Sequence, residues 1–127
     1  MPENIKLPKV IRVGGILYSI NPRSVSWMAN ESAVGQFDDS SHSIDIVNPQ
    51  SQIKETETLL HELTHAILRN FSITKLEGLT EEEMCDVFEK GWLQIFIDNP
   101  AFIEYIKKST EHIRNEQKEK LSNATNL

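Results

Sequence analysis

Two histidines stand four residues apart in the segment 61–65, and a glutamate directly follows the first of them. On a helix, side chains at this spacing project from one face, so both imidazole rings can present a nitrogen to a single metal ion. Zinc accepts such ligands, and a carboxylate beside the open side of the ion can act as a base on water. The segment therefore predicts a zinc site with His61 and His65 as ligands and Glu62 as the catalytic base.

The elements around these residues have to hold them in place. Apolar residues recur at helical spacing between Ile53 and Ile67 and predict a central helix that carries the histidines. Thr80 and Glu83 have the spacing of a capping box, which predicts the start of a second helix. The connection between the two helices is short, so we expect an αα-hairpin that returns an acidic side chain to the histidines.

The second helix opens with three consecutive glutamates, and Asp86 follows them. A catalytic zinc ion commonly has three protein ligands and one water. Glu82 and Asp86 are four residues apart, so Glu82 is the predicted third ligand and Asp86 the predicted hydrogen-bond partner of a ligand histidine. Glu83 is engaged by the capping box, and Glu81 is expected to face solvent.

The first third of the chain is typical of β-strands. Short β-branched segments flank the pair Gly14-Gly15, which suits a two-residue hairpin turn, and a second hairpin ends with the segment Ser43–Val47. We therefore expect an α+β fold: a small antiparallel sheet packed against the zinc-binding helix pair, plus a C-terminal helix. Residues 1–110 are predicted to form the single domain, and residues 111–127 a charged helical extension with a loose tail.

Composition limits the classes of function. A chain of 127 residues with 39% apolar side chains fits one domain with its own core. Its net charge of -6 disfavours nucleic acid and anionic lipid as partners. The single cysteine excludes an intramolecular disulfide, and no apolar run suits a secretory signal or a membrane span. We expect a cytoplasmic protein without a membrane partner; the sequence does not indicate its oligomeric state.

The order and type of these residues resemble a known group of enzymes. The chain resembles gluzincin-type zinc metallopeptidases in three features: the second strand pair, the helix with the His-Glu-Leu-Thr-His segment, and Glu82 ahead of Asp86. Within that group, it is similar to the small ImmA/IrrE-like proteins of bacteria, mobile elements and phages. The resemblance covers about residues 33–96. It implies that residues 1–110 form a zincin-like domain, that the third zinc ligand falls on Glu82, and that Asp86 supports the site.

The resemblance also implies a function. It predicts a zinc-dependent endopeptidase that hydrolyses peptide bonds of a protein substrate, such as a regulatory protein in a phage or mobile-element setting. An extended substrate would add to the edge of the strand Ser43–Val47. Four side chains could stabilise the oxyanion, and the sequence does not choose among them: Tyr18, His42, Tyr105 and His112.

Two other classes of function stay open on the sequence alone. The first is a zinc-stabilised protein-binding module without catalytic turnover, in which the same ligands fix the helices. The second is a structural protein that holds no metal.

Overall fold

The computed structural model describes residues 5–27 and 34–125. The resemblance begins at Ala33, which lies outside the described residues. The predicted domain ranges also include residues 1–4 and 126–127, which lie outside them as well. The described chain forms a sheet followed by three long helices. The strands are β1 (Val10–Val13), β2 (Ile16–Arg23), β3 (Gly35–Asp38) and β4 (Ser43–Val47), and the helices are α1 (Gln52–Asn70), α2 (Glu81–Asp98) and α3 (Pro100–Thr125). The predicted α+β class is confirmed.

The sheet is mixed, with the strand order β1-β2-β4-β3. Both predicted hairpins are present, because β1 pairs with β2 and β3 pairs with β4 in antiparallel registers. The two hairpins join through β2 and β4, which run parallel, so the prediction of an antiparallel sheet is wrong at this central pairing. The pairing places β3 at an edge of the sheet and β4 in its interior.

The core lies between one face of the sheet and α1. Alternate residues of the strands point inward, as the period of a half-buried strand requires, and α1 contributes an apolar stripe. The fully buried members of this core from the sheet and α1 are Ile11, Val13, Tyr18, Ile44, Ile46, Leu59, Leu63, Ala66 and Ile67. Burying each large aliphatic side chain contributes about 1.5–3 kcal/mol, and together they fix the rotation of α1 about its axis.

The two C-terminal helices complete the packing. Gly91 of α2 lies against Ile67 of α1 so closely that no Cβ would fit there. Phe102 and Tyr105 of α3 enter the same core. The charged extension predicted from residue 111 belongs to the continuous helix α3, which runs to Thr125 and is exposed from residue 114 to residue 124. No helix in the described ranges is both long and apolar enough to pass through a bilayer.

Candidate metal centre

The middle of α1 brings His61, Glu62 and His65 into one cluster. A ligand atom from each of the three lies within 4.8 Å of the others, and the two imidazole rings meet edge to face with their centroids 5.0 Å apart. Both histidines are exposed, while Glu62 is 5% exposed. This position follows from the apolar stripe, because turning Leu59 and Leu63 into the core leaves the histidines at its border.

The donor set is one that zinc accepts. Zinc is an ion of borderline softness, and it binds both imidazole nitrogens and carboxylate oxygens. The exposure of both rings leaves a path for an ion to enter. The residues of the cluster therefore fit a zinc ion, with His61 and His65 as the groups that would hold it.

Glu62 owes its burial to a close approach of strand β3. A Cβ added to Gly35 would press on the methyl group of Thr58 and lie 3.4 Å from Glu62 Cγ, so the strand can come this near only because Gly35 has no side chain. Burial raises the pKa of the Glu62 carboxyl above its usual value, while the charges of His61 and His65 act in the opposite direction. Sequence analysis missed Gly35, although a glycine within a strand is a signal of close backbone approach.

The Glu62 carboxylate accepts no hydrogen bond from any residue in ranges 5–27 and 34–125. It instead borders a cavity of about 260 Å³ between β3 and α1. The lining residues are Val34, Gly35, Lys54, Glu57, Thr58, His61 and Glu62. The carboxylate is therefore shielded along its stem and open at its tip, where a molecule in the cavity can reach it.

The other side of the cluster is formed by an aromatic side chain and a second cavity. The Phe37 ring of β3 stacks on His65, with the ring centroids 6.1 Å apart. Beyond His65 lies a cavity of about 300 Å³. It is lined by His65, Leu68, Arg69, Ile73, Thr74, Lys75 and Leu76. The histidine pair thus lies between two cavities on the exposed side of α1.

Glu82 and Asp86 lie outside the cluster, whose ligand atoms are within 4.8 Å of one another. Met84 is partly buried where α2 packs inward, and Glu82 and Asp86 are each two positions away from it, about 200° around the helix. Both carboxylates are exposed, and neither belongs to the cluster of potential ligands. The roles predicted for these two residues therefore remain predictions from their spacing.

One contact shows which faces of the two helices meet. Gly91 of α2 contacts Ile67, which follows His65 by two residues and so lies about 200° from it around α1. At this contact, α2 therefore lies on the side of α1 away from the histidines. The two helices are in contact, and Gly91 lies on a face of α2 other than the one with the predicted ligands.

The structure separates the four candidate oxyanion donors. Tyr105 donates a hydrogen bond to Glu55, and His112 pairs with Glu116 along α3, so both are engaged elsewhere. Tyr18 packs against Phe37 but is fully buried. His42 is exposed and contacts Tyr18 edge to face, with the ring centroids 5.8 Å apart. Ring contacts connect His42 to His65 through Tyr18 and Phe37. Of the four candidates, only His42 is both exposed and part of this series of contacts.

The prediction that β4 offers an edge for substrate is wrong. The strand Ser43–Val47 pairs with β2 on one side and with β3 on the other, so its backbone groups are already used. The strand beside the cluster with a free edge is β3, because it lies at the end of the sheet and pairs only with β4 among the described strands. Gly35 lies beside Glu62, and Phe37 lies beside His65.

Comparison of the chain with family models, curated proteins and solved structures finds no match. The resemblance to gluzincin-type peptidases therefore stays a prediction that rests on the motif residues.

Proposed function

We propose that the chain is a zinc-dependent endopeptidase that acts on an extended segment of a protein substrate. One observation carries the proposal: His61, Glu62 and His65 cluster beside the free edge of β3. A regulatory protein as the substrate, in a phage or mobile-element setting, follows from the resemblance alone.

His61 and His65 would hold the ion, and their two ring nitrogens are set by one rigid helix. When bound, zinc supplies Lewis acidity that polarises a scissile carbonyl and lowers the pKa of a water molecule. A Glu62 carboxylate oxygen takes the proton from the attacking water and later donates it to the leaving nitrogen. The open tip of this carboxylate suits that task, because no other side chain in the described ranges occupies it.

Strand β3 would align the substrate. An extended peptide can add to a free strand edge through backbone hydrogen bonds, which bind it without regard to its side chains. Because Gly35 lies beside Glu62 and Phe37 beside His65, a peptide along β3 would run beside the cluster. Its scissile carbonyl would then lie next to the group that handles the proton.

Substitution of Glu62 tests the proposal. Zinc-loaded wild type should cleave members of a mixed peptide library, and Glu62→Gln should lose about 10²- to 10⁴-fold of that rate, the usual contribution of a general base. Zinc content should not change. Glu57→Gln is the matched control, because Glu57 lines the same cavity but lies outside the cluster. Equal cleavage by Glu62→Gln and wild type would overturn the mechanism.

The third ligand is tested separately. The proposal keeps Glu82 in this role on the basis of its spacing, so Glu82→Gln should weaken zinc binding by about tenfold or more in a competition titration. Glu81→Gln is the control, since it removes an exposed carboxylate from the same helical turn. Equal zinc affinities of the two variants would remove Glu82 from the site.

The alternative is a zinc-stabilised binding module without turnover. Exposed apolar side chains on α2 favour it, because Leu93, Phe96 and Ile97 are 57%, 46% and 67% exposed and offer a contact surface. This alternative predicts that zinc removal lowers the melting temperature and that the library stays intact with wild type. Cleavage that depends on Glu62 would exclude it.

A further inference from the structure

The cavity beyond His65 is built by the way α1 ends. Ser72 adopts a left-handed conformation with φ 58°, and the Ile73 N–H donates to the Leu68 carbonyl at 2.8 Å. This conformation and this hydrogen bond turn the chain back along the last turn of the helix. The connection that follows then forms one wall of a cavity of about 300 Å³, and His65 forms part of another.

The charges around this cavity are positive. Arg69 and Lys75 line it, and no carboxylate does. Neither side chain takes part in an ion pair or donates a hydrogen bond to another residue of the described chain. The whole chain carries a net charge of -6, so two unpaired cations at one cavity run against its overall balance.

The cavity on the other side of the cluster has a different charge. Lys54 is accompanied there by Glu57 and Glu62. A negatively charged side chain would therefore meet two carboxylates in that cavity and none in the one beyond His65. The cavity beyond His65 therefore favours a negatively charged group, and the cavity beside Glu62 does not.

The remaining lining determines the shape of the ligand. Leu68, Ile73 and Leu76 are apolar, so they suit a hydrocarbon stem that leads to a charged end. An arginine guanidinium binds a carboxylate through two parallel hydrogen bonds, and a lysine adds a point charge. Glutamate combines such a stem with a carboxylate.

We propose that the cavity lined by Arg69 and Lys75 is a subsite that selects an acidic side chain, glutamate above all, close to the scissile bond of the substrate. The inference rests on the proposed function. Strand β3 lies beside Glu62 at its residue Gly35 and beside His65 at its residue Phe37. A peptide paired with β3 would therefore continue past His65 toward this cavity. The subsite is therefore reached by a residue next to the cleaved bond or one position further.

Binding tests the subsite without any cleavage. Isotope-labelled full-length protein without zinc is titrated with two capped hexapeptides that differ only in a central Glu or Gln. The Glu peptide should bind about tenfold more tightly, the effect of one good charge-assisted pair, and should shift the resonances of Leu68, Arg69 and Leu76. Arg69→Gln and Lys75→Gln should each reduce the difference, whereas Lys54→Gln should preserve it.

Equal binding of the two peptides would overturn the subsite, as would a preference for Glu that both Arg69→Gln and Lys75→Gln retain. Melting curves of these variants establish that they fold; because two exposed cations are replaced separately, one unfolded variant does not end the test.

Cleavage separates this inference from the proposed function. Zinc-loaded protein is incubated with the peptide library, and the products should carry Glu or Asp at a fixed distance from the cut. Reversing both charges, with Arg69→Glu and Lys75→Glu, should shift the preference to Lys and Arg. Cleavage without any acidic preference overturns the subsite alone. An intact library together with preferential binding of the Glu peptide overturns the protease and leaves the cavity as a binding site for an acidic side chain.

Discussion

Helix α1 buries two glutamates, seven residues apart on one face, that differ in their hydrogen bonds. Glu55 is 4% exposed and Glu62 is 5% exposed, so their burial is nearly equal. Glu55 accepts hydrogen bonds from the Tyr105 hydroxyl at 2.8 Å and from Asn48 Nδ2 at 3.2 Å. Glu62 accepts none from the described chain and borders a cavity beside two histidines instead.

The difference separates a carboxylate whose hydrogen bonds the fold supplies from one that borders a cavity. A buried carboxylate without partners is costly, so a residue that serves only the fold is supplied with donors, as Glu55 is by α3 and by the end of the sheet. The described residues supply no such donor to Glu62, and the tip of its carboxylate is open to the cavity that it borders. Such an arrangement is more common at sites of chemistry than in cores.

The largest expected effect on stability comes from removing a hydrogen bond to Glu55. Tyr105→Phe removes the hydroxyl that donates to Glu55 and leaves a buried carboxylate short of a donor. We expect a loss of about 2–3 kcal/mol in the free energy of unfolding, measured by chemical denaturation of zinc-free protein. Glu62→Gln should cause no comparable loss. Equal destabilisation by the two substitutions would contradict the distinction.

A somewhat smaller effect is expected at the wall of the open site. Gly35→Ala places a methyl group against Thr58 and the stem of Glu62, so strand or helix must shift. Overpacking of this kind costs about 1–3 kcal/mol, and displacement of Glu62 should lower cleavage further than the loss of folded protein accounts for. Gly15→Ala is the control, because no atom lies within 4 Å of its added Cβ. A variant with normal cleavage per folded molecule would show that Gly35 does not position Glu62.

The pH dependence of stability should be smaller still and of opposite sign to that of a paired carboxylate. Burial raises the folded-state pKa of Glu62 above its ordinary value of 4.5, so the folded state binds more protons than the unfolded state above that pH. Unfolding free energy should therefore fall as pH rises from 4.5 through the raised pKa. Zinc-free Glu62→Gln should lack this decrease; parallel curves for the two proteins would contradict the assignment.

The smallest effect is predicted for the second buried tyrosine. The Tyr18 hydroxyl has no hydrogen-bond partner in the described chain, so Tyr18→Phe removes an unsatisfied group rather than a bond. The free energy of unfolding should change by less than about 0.5 kcal/mol or should rise. A loss as large as that of Tyr105→Phe would reveal a partner for this hydroxyl.

Much of the fold could be predicted from local patterns. The alternation in Ser43–Val47 and the helical spacing around Leu59 and Leu63 depend only on neighbouring residues, and both elements form where expected. The parallel pairing of β2 with β4 could not be predicted in this way. It depends on the path that the chain takes between the two hairpins, and periodicity within a strand does not record that path.

The candidate site divides along the same line. The proximity of His61, Glu62 and His65 follows from one helical turn, so spacing sufficed to predict it. The position of Glu82 depends on which face of α2 packs inward, and Met84 and Ile95 place that face opposite to it. Gly35 was missed because its importance arises only when β3 meets α1, more than twenty residues away along the chain.

Zinc binding is the most direct test of the account. Wild-type protein prepared without chelator, offered zinc and then desalted should contain one zinc ion per chain by elemental analysis, and His65→Ala should contain none under the same conditions. His112→Ala should retain the full amount, because this histidine pairs with Glu116 on α3. Wild type without stoichiometric zinc, or His65→Ala that binds it equally, would contradict the central claim.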